Sequence, residues 1–184
     1  GMRAYVRSLC FVLYKASQDV FPGSRLYMEH PISHGYFGNF HKADGSAVTE
    51  QDVDMIRARM QQIVDEDMPF HRTEAITEDA IALFRKSGFS DKVKLLETSG
   101  QIYTDYYTLG DTVDYYYGPL VPSTGYLKVF GIEPYYNGLL LRIPDRKNPR
   151  QLAEKIDMPR TFGIFAENVR WNVIMGLQNV GAVN

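Results

Sequence analysis

From Gln101 to Ile143 the chain alternates short runs of tyrosine and β-branched residues with turns built on glycine and proline. This alternation restricts the fold more than any other feature of the sequence. Residues 101–109, 112–116, 126–132 and 139–143 read as strands, because aromatic and β-branched side chains suit a pleated, half-buried surface. The linking segments are too short to hold crossover helices, so antiparallel pairing is expected. Residues 92–97 are a further strand candidate, as are 25–30, 35–41 and 71–76, each bounded by turn or breaker residues.

Helical periodicity appears around these strands. Leu9, Val12, Leu13, Ala16 and Val20 share one face of a segment spanning residues 8–20, which Phe21-Pro22-Gly23 stops. Thr49-Glu50-Gln51-Asp52 has the form of a capping box, with Asp52 placed to return a bond to the cap. Behind it Val53, Ile56, Met60, Ile63 and Val64 form an apolar stripe that ends near Glu66, and Asp54, Arg57, Arg59 and Asp65 form a solvated face. Thr77 is expected to cap a short helix running to Phe84, with Gly88 as its C-terminal cap. After residues 144–149 the character changes, and residues 151–156 and 161–177 read as a helical extension. The fold class is therefore α+β: an antiparallel sheet with packed helices over residues 1–148, and a helical linker over 149–184.

Size and charge narrow the function. The chain has 184 residues, enough for one substantial core, and apolar residues make up 45% of it, which suits a folded domain. Its 20 basic residues face 22 acidic ones, a poor footprint for a dedicated nucleic-acid binder. The basic run at 142–150 reads as a solvated loop. No apolar run reaches the length of a membrane span, and Arg3 and Arg7 argue against a signal peptide. One cysteine forms no internal disulfide and fits a reducing, cytoplasmic setting. Gly1 ahead of Met2, and the turn-like exit at 179–184, read as the ends of an excerpt.

Residues 110–125, GDTVDYYYGPLVPSTG, resemble the signature loop of the second additional domain of threonyl-tRNA synthetase, which hydrolyses mischarged tRNA. The family pattern is roughly V-D-x-C-x-G-P-H-V-P. Val113, Asp114, Gly118, Pro119, Val121 and Pro122 keep its frame, but Tyr116 stands at the cysteine position and Leu120 at the histidine position. The family's H-x-x-x-H pair on the first helix falls on Arg7 and Phe11, counted back from Phe21-Pro22. The resemblance thus implies an editing-domain fold whose metal or hydrolytic ligands are lost at all four positions, since Phe and Leu carry no lone pair and Arg stays protonated. It extends in order through Gly35-Tyr36-Phe37, residues 49–69 and residues 92–96, and covers roughly residues 7–142. It further implies that Asp114 and Lys92 match retained pocket residues. Arg7, Phe11, Lys92, Asp114, Tyr116 and Leu120 are then the pocket-equivalent positions, for a polar small molecule such as a nucleoside or nucleotide. An internal Arg7–Asp114 ion pair filling a vacated pocket is the equally weighted structural reading.

The phrases LYMEHPIS (26–33), YYYGPLVPSTGYL (115–127), GLLLRIPD (138–145) and RWNVIMGLQNVGAVN (170–184) also resemble the N-terminal region of bacterial uridine kinase-like proteins, which precedes a P-loop kinase. That resemblance implies an accessory, non-hydrolytic domain whose partner is its own C-terminal kinase. ATP and magnesium would belong to that absent half, because no G-x-x-x-x-G-K-[ST] occurs here. Two other readings stand beside it: an aminoacyl-tRNA deacylase using Asp114 or His34 as base, and an RNA-binding module that has lost catalysis.

Three lesser signals have plain structural explanations. His30-Pro31-Ile32-Ser33-His34 has zinc-helix spacing, but Pro31 and Gly35 oppose a helix and no third ligand accompanies the pair. Cys10 sits between Leu9 and Phe11 and reads as a structural thiol. The tyrosine crowd at 103–117 is explained largely by strand alternation, although tyrosines also stack bases.

Overall fold

In the computed structural model, residues 2–32, 35–116 and 118–144 are described. The helical extension expected at 151–177, the linker at 149–184 and His34 lie outside them. Helix α1 (Met2–Val20) leads into a hairpin of β1 (Arg25–Ile32) and β2 (Gly35–His41), followed by α2 (Glu50–Asp65). Next come β3 (His71–Ile76), α3 (Thr77–Lys86), α4 (Ser90–Thr98), β4 (Tyr103–Leu109) and β5 (Thr112–Asp114). A single 3₁₀ turn (Thr124–Tyr126), β6 (Gly131–Tyr135) and β7 (Gly138–Arg142) complete the order.

The strands form two antiparallel sheets, ordered β1-β2-β7-β6 and β3-β4-β5. The apolar stripes foreseen on α1 and α2 meet over the larger sheet. Leu9, Val12, Leu13 and Ala16 join Val53, Ile56, Met60 and Ile63 in one buried cluster with Phe40, Ile132, Leu139 and Leu141. A smaller cluster of Ala80, Phe84, Val93 and Leu96 joins α3 to α4.

The capping box at α2 forms as its spacing demands. The Thr49 hydroxyl accepts from Asp52 N–H at 3.1 Å, and Asp52 Oδ2 accepts from Thr49 N–H at 3.0 Å. Lys42 Nζ lies 2.7 Å from the same carboxylate oxygen. Thr49→Ala is expected to cost about 1 kcal/mol, read as a lower urea midpoint with an unchanged slope. At the end of α3, Gly88 adopts φ +85°, Gly88 N–H bonds the Arg85 carbonyl and Phe89 N–H reaches back to Phe84. This is the Schellman closure that a glycine past the last turn permits.

Four sequence expectations change. Residues 92–97 lie in α4: Val93 and Leu96 are buried three residues apart, and the intervening Lys and Leu are strong helix formers. Thr77 does not cap α3; its hydroxyl is 2.8 Å from that of Thr104, and Ile76 holds the cap position without a side-chain bond. Residues 126–130 are not strand: Leu127 N–H closes the 3₁₀ turn on the Thr124 carbonyl, and a side chain takes both backbone groups of Val129. Tyr5 Oη donates to Val129 O at 2.6 Å and accepts from Val129 N–H at 3.0 Å. Helix α1 itself starts at Met2, six residues before the expected start at residue 8.

Candidate functional site

The four positions that the resemblance marked as vacated ligands come together. Arg7 and Phe11 lie one turn apart on α1, facing the segment that follows β5. The Tyr116 and Phe70 rings pack against Phe11 in tilted contacts, with centroids 5.6 and 5.8 Å from its own. Phe11 is fully buried, and Leu120 packs against the same cluster. Arg7 donates from Nε (3.2 Å) and Nη2 (3.0 Å) to the Pro119 carbonyl. Its guanidinium lies so close to Gly118 that a Cβ there would sit 2.7 Å from Arg7 Cζ. At the next residue of α1, Ser8 Oγ accepts from Val121 N–H at 2.8 Å.

Beside this plug opens a cleft of about 650 Å³ between α1, β1, the α3–α4 turn and residues 114–116. Arg7, Lys92, Asp114 and Tyr116 line it; Phe11 and Leu120 do not, being held in the packing beneath. The expected Arg7–Asp114 pair is absent, since Arg7 is committed to Pro119. Lys92 takes that place instead, and its ammonium is in contact with the Asp114 carboxylate. Lys92 Nζ also donates to the Tyr115 carbonyl at 3.2 Å and lies 5.1 Å from the Phe89 ring centroid and 5.2 Å from that of Tyr116. The Asp114 carboxylate accepts the Tyr115 N–H at 2.7 Å, which orients it toward the lysine.

Burial dominates the titrations here. It lowers the Lys92 ammonium to about 8, against the charge of Asp91. It pushes the Cys10 thiol and the Tyr14 phenol up to about 12, and Tyr116 well above the usual phenol range. Cys10 therefore lacks the thiolate a nucleophile needs, and Tyr116 stays a neutral phenol. Among the described residues, no group of three or more His, Cys, Asp or Glu could hold a metal ion. His30 lies in β1, so the H-x-x-x-H spacing does not sit on a helix.

Tyr14, Tyr27 and Phe89 are cleft aromatics missed in the sequence. Tyr14 and Phe89 both line the cleft, with their rings 5.2 Å apart. Tyr14 was legible, because Arg7, Cys10 and Tyr14 share one helical face at i, i+3 and i+7. Phe89 carried no such signal, since its place depends on the turn between α3 and α4.

No family model matches the chain. It is 31% identical over 176 residues to the threonine–tRNA ligase of Syntrophotalea carbinolica, an alignment covering 87% of this chain and 27% of that protein. It is 33% identical over 155 residues to the ligase of Acidithiobacillus ferrooxidans (81% and 23%), and 32% over 131 residues to that of Marinobacter nauticus (71% and 20%). The chain thus spans about a quarter of the length of the curated relatives it matches. Neither the structure nor these relatives support the link to a uridine kinase. In sequence the chain resembles one segment of the threonine–tRNA ligases, and its helices on antiparallel sheets are consistent with the fold of a synthetase editing domain.

Proposed function

We propose that this chain is a binding module related to the synthetase editing domain, which takes the aminoacylated terminal nucleoside of a tRNA into its cleft without metal- or thiol-assisted hydrolysis. The observation that carries this reading is the Lys92–Asp114 pair, set over the Phe89 and Tyr116 rings on one wall of an open cleft. Aromatic rings suit a base or ribose face, while the ammonium and carboxylate match the polar ends of an aminoacyl ester. The relatives' names point to tRNA and an amino acid as the ligand class. A net charge of −2 limits contact to the end of the strand rather than a long phosphate track. A free nucleoside or nucleotide is the smaller form of the same ligand.

Calorimetric titration with an aminoacyl-adenosine whose ester is replaced by a stable amide tests this. Binding is expected in the parent and at least about tenfold weaker in Lys92→Gln, the loss of one charge-assisted bond. No heat with the parent would sink the reading. The second reading, hydrolysis of the ester, is favoured by one observation: the lowered Lys92 ammonium beside the cleft. Under it, charged tRNA would lose its amino acid faster with the parent than in buffer, and Lys92→Gln would abolish the difference. Under the binding reading the two rates are equal.

A further inference from the structure

The two sheets expose four outer strands, β1, β6, β3 and β5, and three of them are guarded against pairing. β1 has a register irregularity between Met28 and Pro31. β6 contains Pro134, and Arg57 of α2 donates to its Ile132 carbonyl at 2.9 and 3.2 Å. β5 is only three residues long. β3 has none of these devices. Its six residues pair with β4 without interruption from His71↔Thr108 to Ile76↔Tyr103, and among the described residues no strand occupies its outer edge.

The side chains of this edge are self-complementary. Outward-pointing backbone groups recur at every second residue, so a strand meeting its own copy antiparallel can shift register only in steps of two. Three registers near the strand's midpoint pivot on Arg72, Thr73 and Glu74. The first opposes Arg72 to itself and the third opposes Glu74 to itself. The Thr73 register sets Arg72 of each copy opposite Glu74 of the other, twice. Glu74 makes no ion pair among the described residues; it lies directly across from Asp105 on β4, whose carboxylate Arg72 of the same chain holds, so in this register each guanidinium sits between its own Asp105 and Glu74 of the other copy. At the strand's end Ile76, Ile102 and Tyr103 are 50%, 73% and 60% exposed.

We propose that β3 is a self-association edge: two copies of this chain pair β3 antiparallel about a two-fold axis at Thr73, joining their three-stranded sheets into one of six strands. The interface is isologous and closes, so it yields a dimer rather than a filament.

Sedimentation velocity over a wide concentration range reads the mass, and a disulfide reads the register. The parent is expected to dimerise. Glu74→Arg sets two arginine pairs across the axis and should weaken the dimer by about tenfold or more; R72E/E74R restores it. Thr73→Cys should form an intermolecular disulfide under mild oxidation, because directly opposed residues lie within bridging distance, and the parent should form none. A parent that stays monomeric at every concentration overturns the proposal. So does a dimer unmoved by Glu74→Arg, or one whose Thr73→Cys form fails to bridge. Circular dichroism of each variant separates lost pairing from lost folding.

Discussion

Gly138→Ala is expected to destabilise the protein by on the order of 3 kcal/mol, with the damage in the four-stranded sheet. Gly138 opens β7, and a Cβ built there would lie 2.1 Å from the Gly38 carbonyl oxygen and 3.4 Å from Asn39 Cα. These are backbone atoms of β2, which cannot swing aside as a side-chain tip does. The two strands are paired from Gly35↔Arg142 to Gly38↔Leu139, so relief requires them to part. Leu139 and Leu141 of β7 lie in the main core, so the displacement is felt there too. Gly45→Ala is the matched control: a Cβ there meets nothing within 4 Å, leaving only the strain of φ +75°, which costs about 1 kcal/mol. Urea denaturation of both variants makes the comparison. Equal losses would show that β2 and β7 tolerate a wider spacing than their registers imply.

Asp114→Ala has the second large effect, on stability and pH dependence together. Asp114 is buried and its partner Lys92 is largely so, and removing one member of such a pair leaves the other charge uncompensated. A loss of about 3 kcal/mol at neutral pH is expected, and Lys92→Met in the same background should recover part of it. The sign of the pH dependence follows from the lysine. Its folded pKa, lowered to about 8, lies below the unfolded value of 10.5. The unfolded chain therefore binds more protons between these values, and stability rises with pH across that window. The burden is fully present below about 8 and is relieved toward 10.5. Above about pH 10 the raised phenols of Tyr14 and Tyr116 reverse the trend, because the folded state then holds protons that the unfolded chain releases. The gap between parent and Asp114→Ala should accordingly narrow as pH rises toward about 8, because Lys92 without its carboxylate gives up its proton at lower pH than Lys92 in the parent. A gap that is constant with pH would mean that Asp114 acts through its bond to Tyr115 N–H alone.

Much of the fold was legible because its signals are local. The stripe Val53, Ile56, Met60, Ile63 and Val64 and the Thr49–Asp52 box define α2 from within sixteen residues. β2 and β3 fall at the expected bounds, since turn residues flank runs of pleat-forming side chains. The failures share one cause. At residues 92–97 the apolar spacing fits either period over so short a run, and packing of Val93 and Leu96 against Phe84 chooses the helix. Residues 126–130 have strand composition, but Leu127 N–H is taken by the turn before it and Val129 is bonded by Tyr5, 124 positions away.

The candidate site divides in the same way. Residue type alone determined that Phe11 and Leu120 carry no lone pair, that Arg7 stays protonated and that Tyr116 is left as a single oxygen ligand, because lone pairs and charge belong to the side chain wherever it sits. Only the tertiary structure decided what stands in the cluster's place. Phe11, Tyr116 and Leu120 close into packing with Phe70, and Arg7 turns to the Pro119 carbonyl. Lys92, carried in by a helix that the sequence did not announce, takes Asp114. An ion pair goes to whichever cation the surrounding backbone brings within reach of the carboxylate. Reach is a property of α1, α4 and β5 packed together, and no one of these segments contains it.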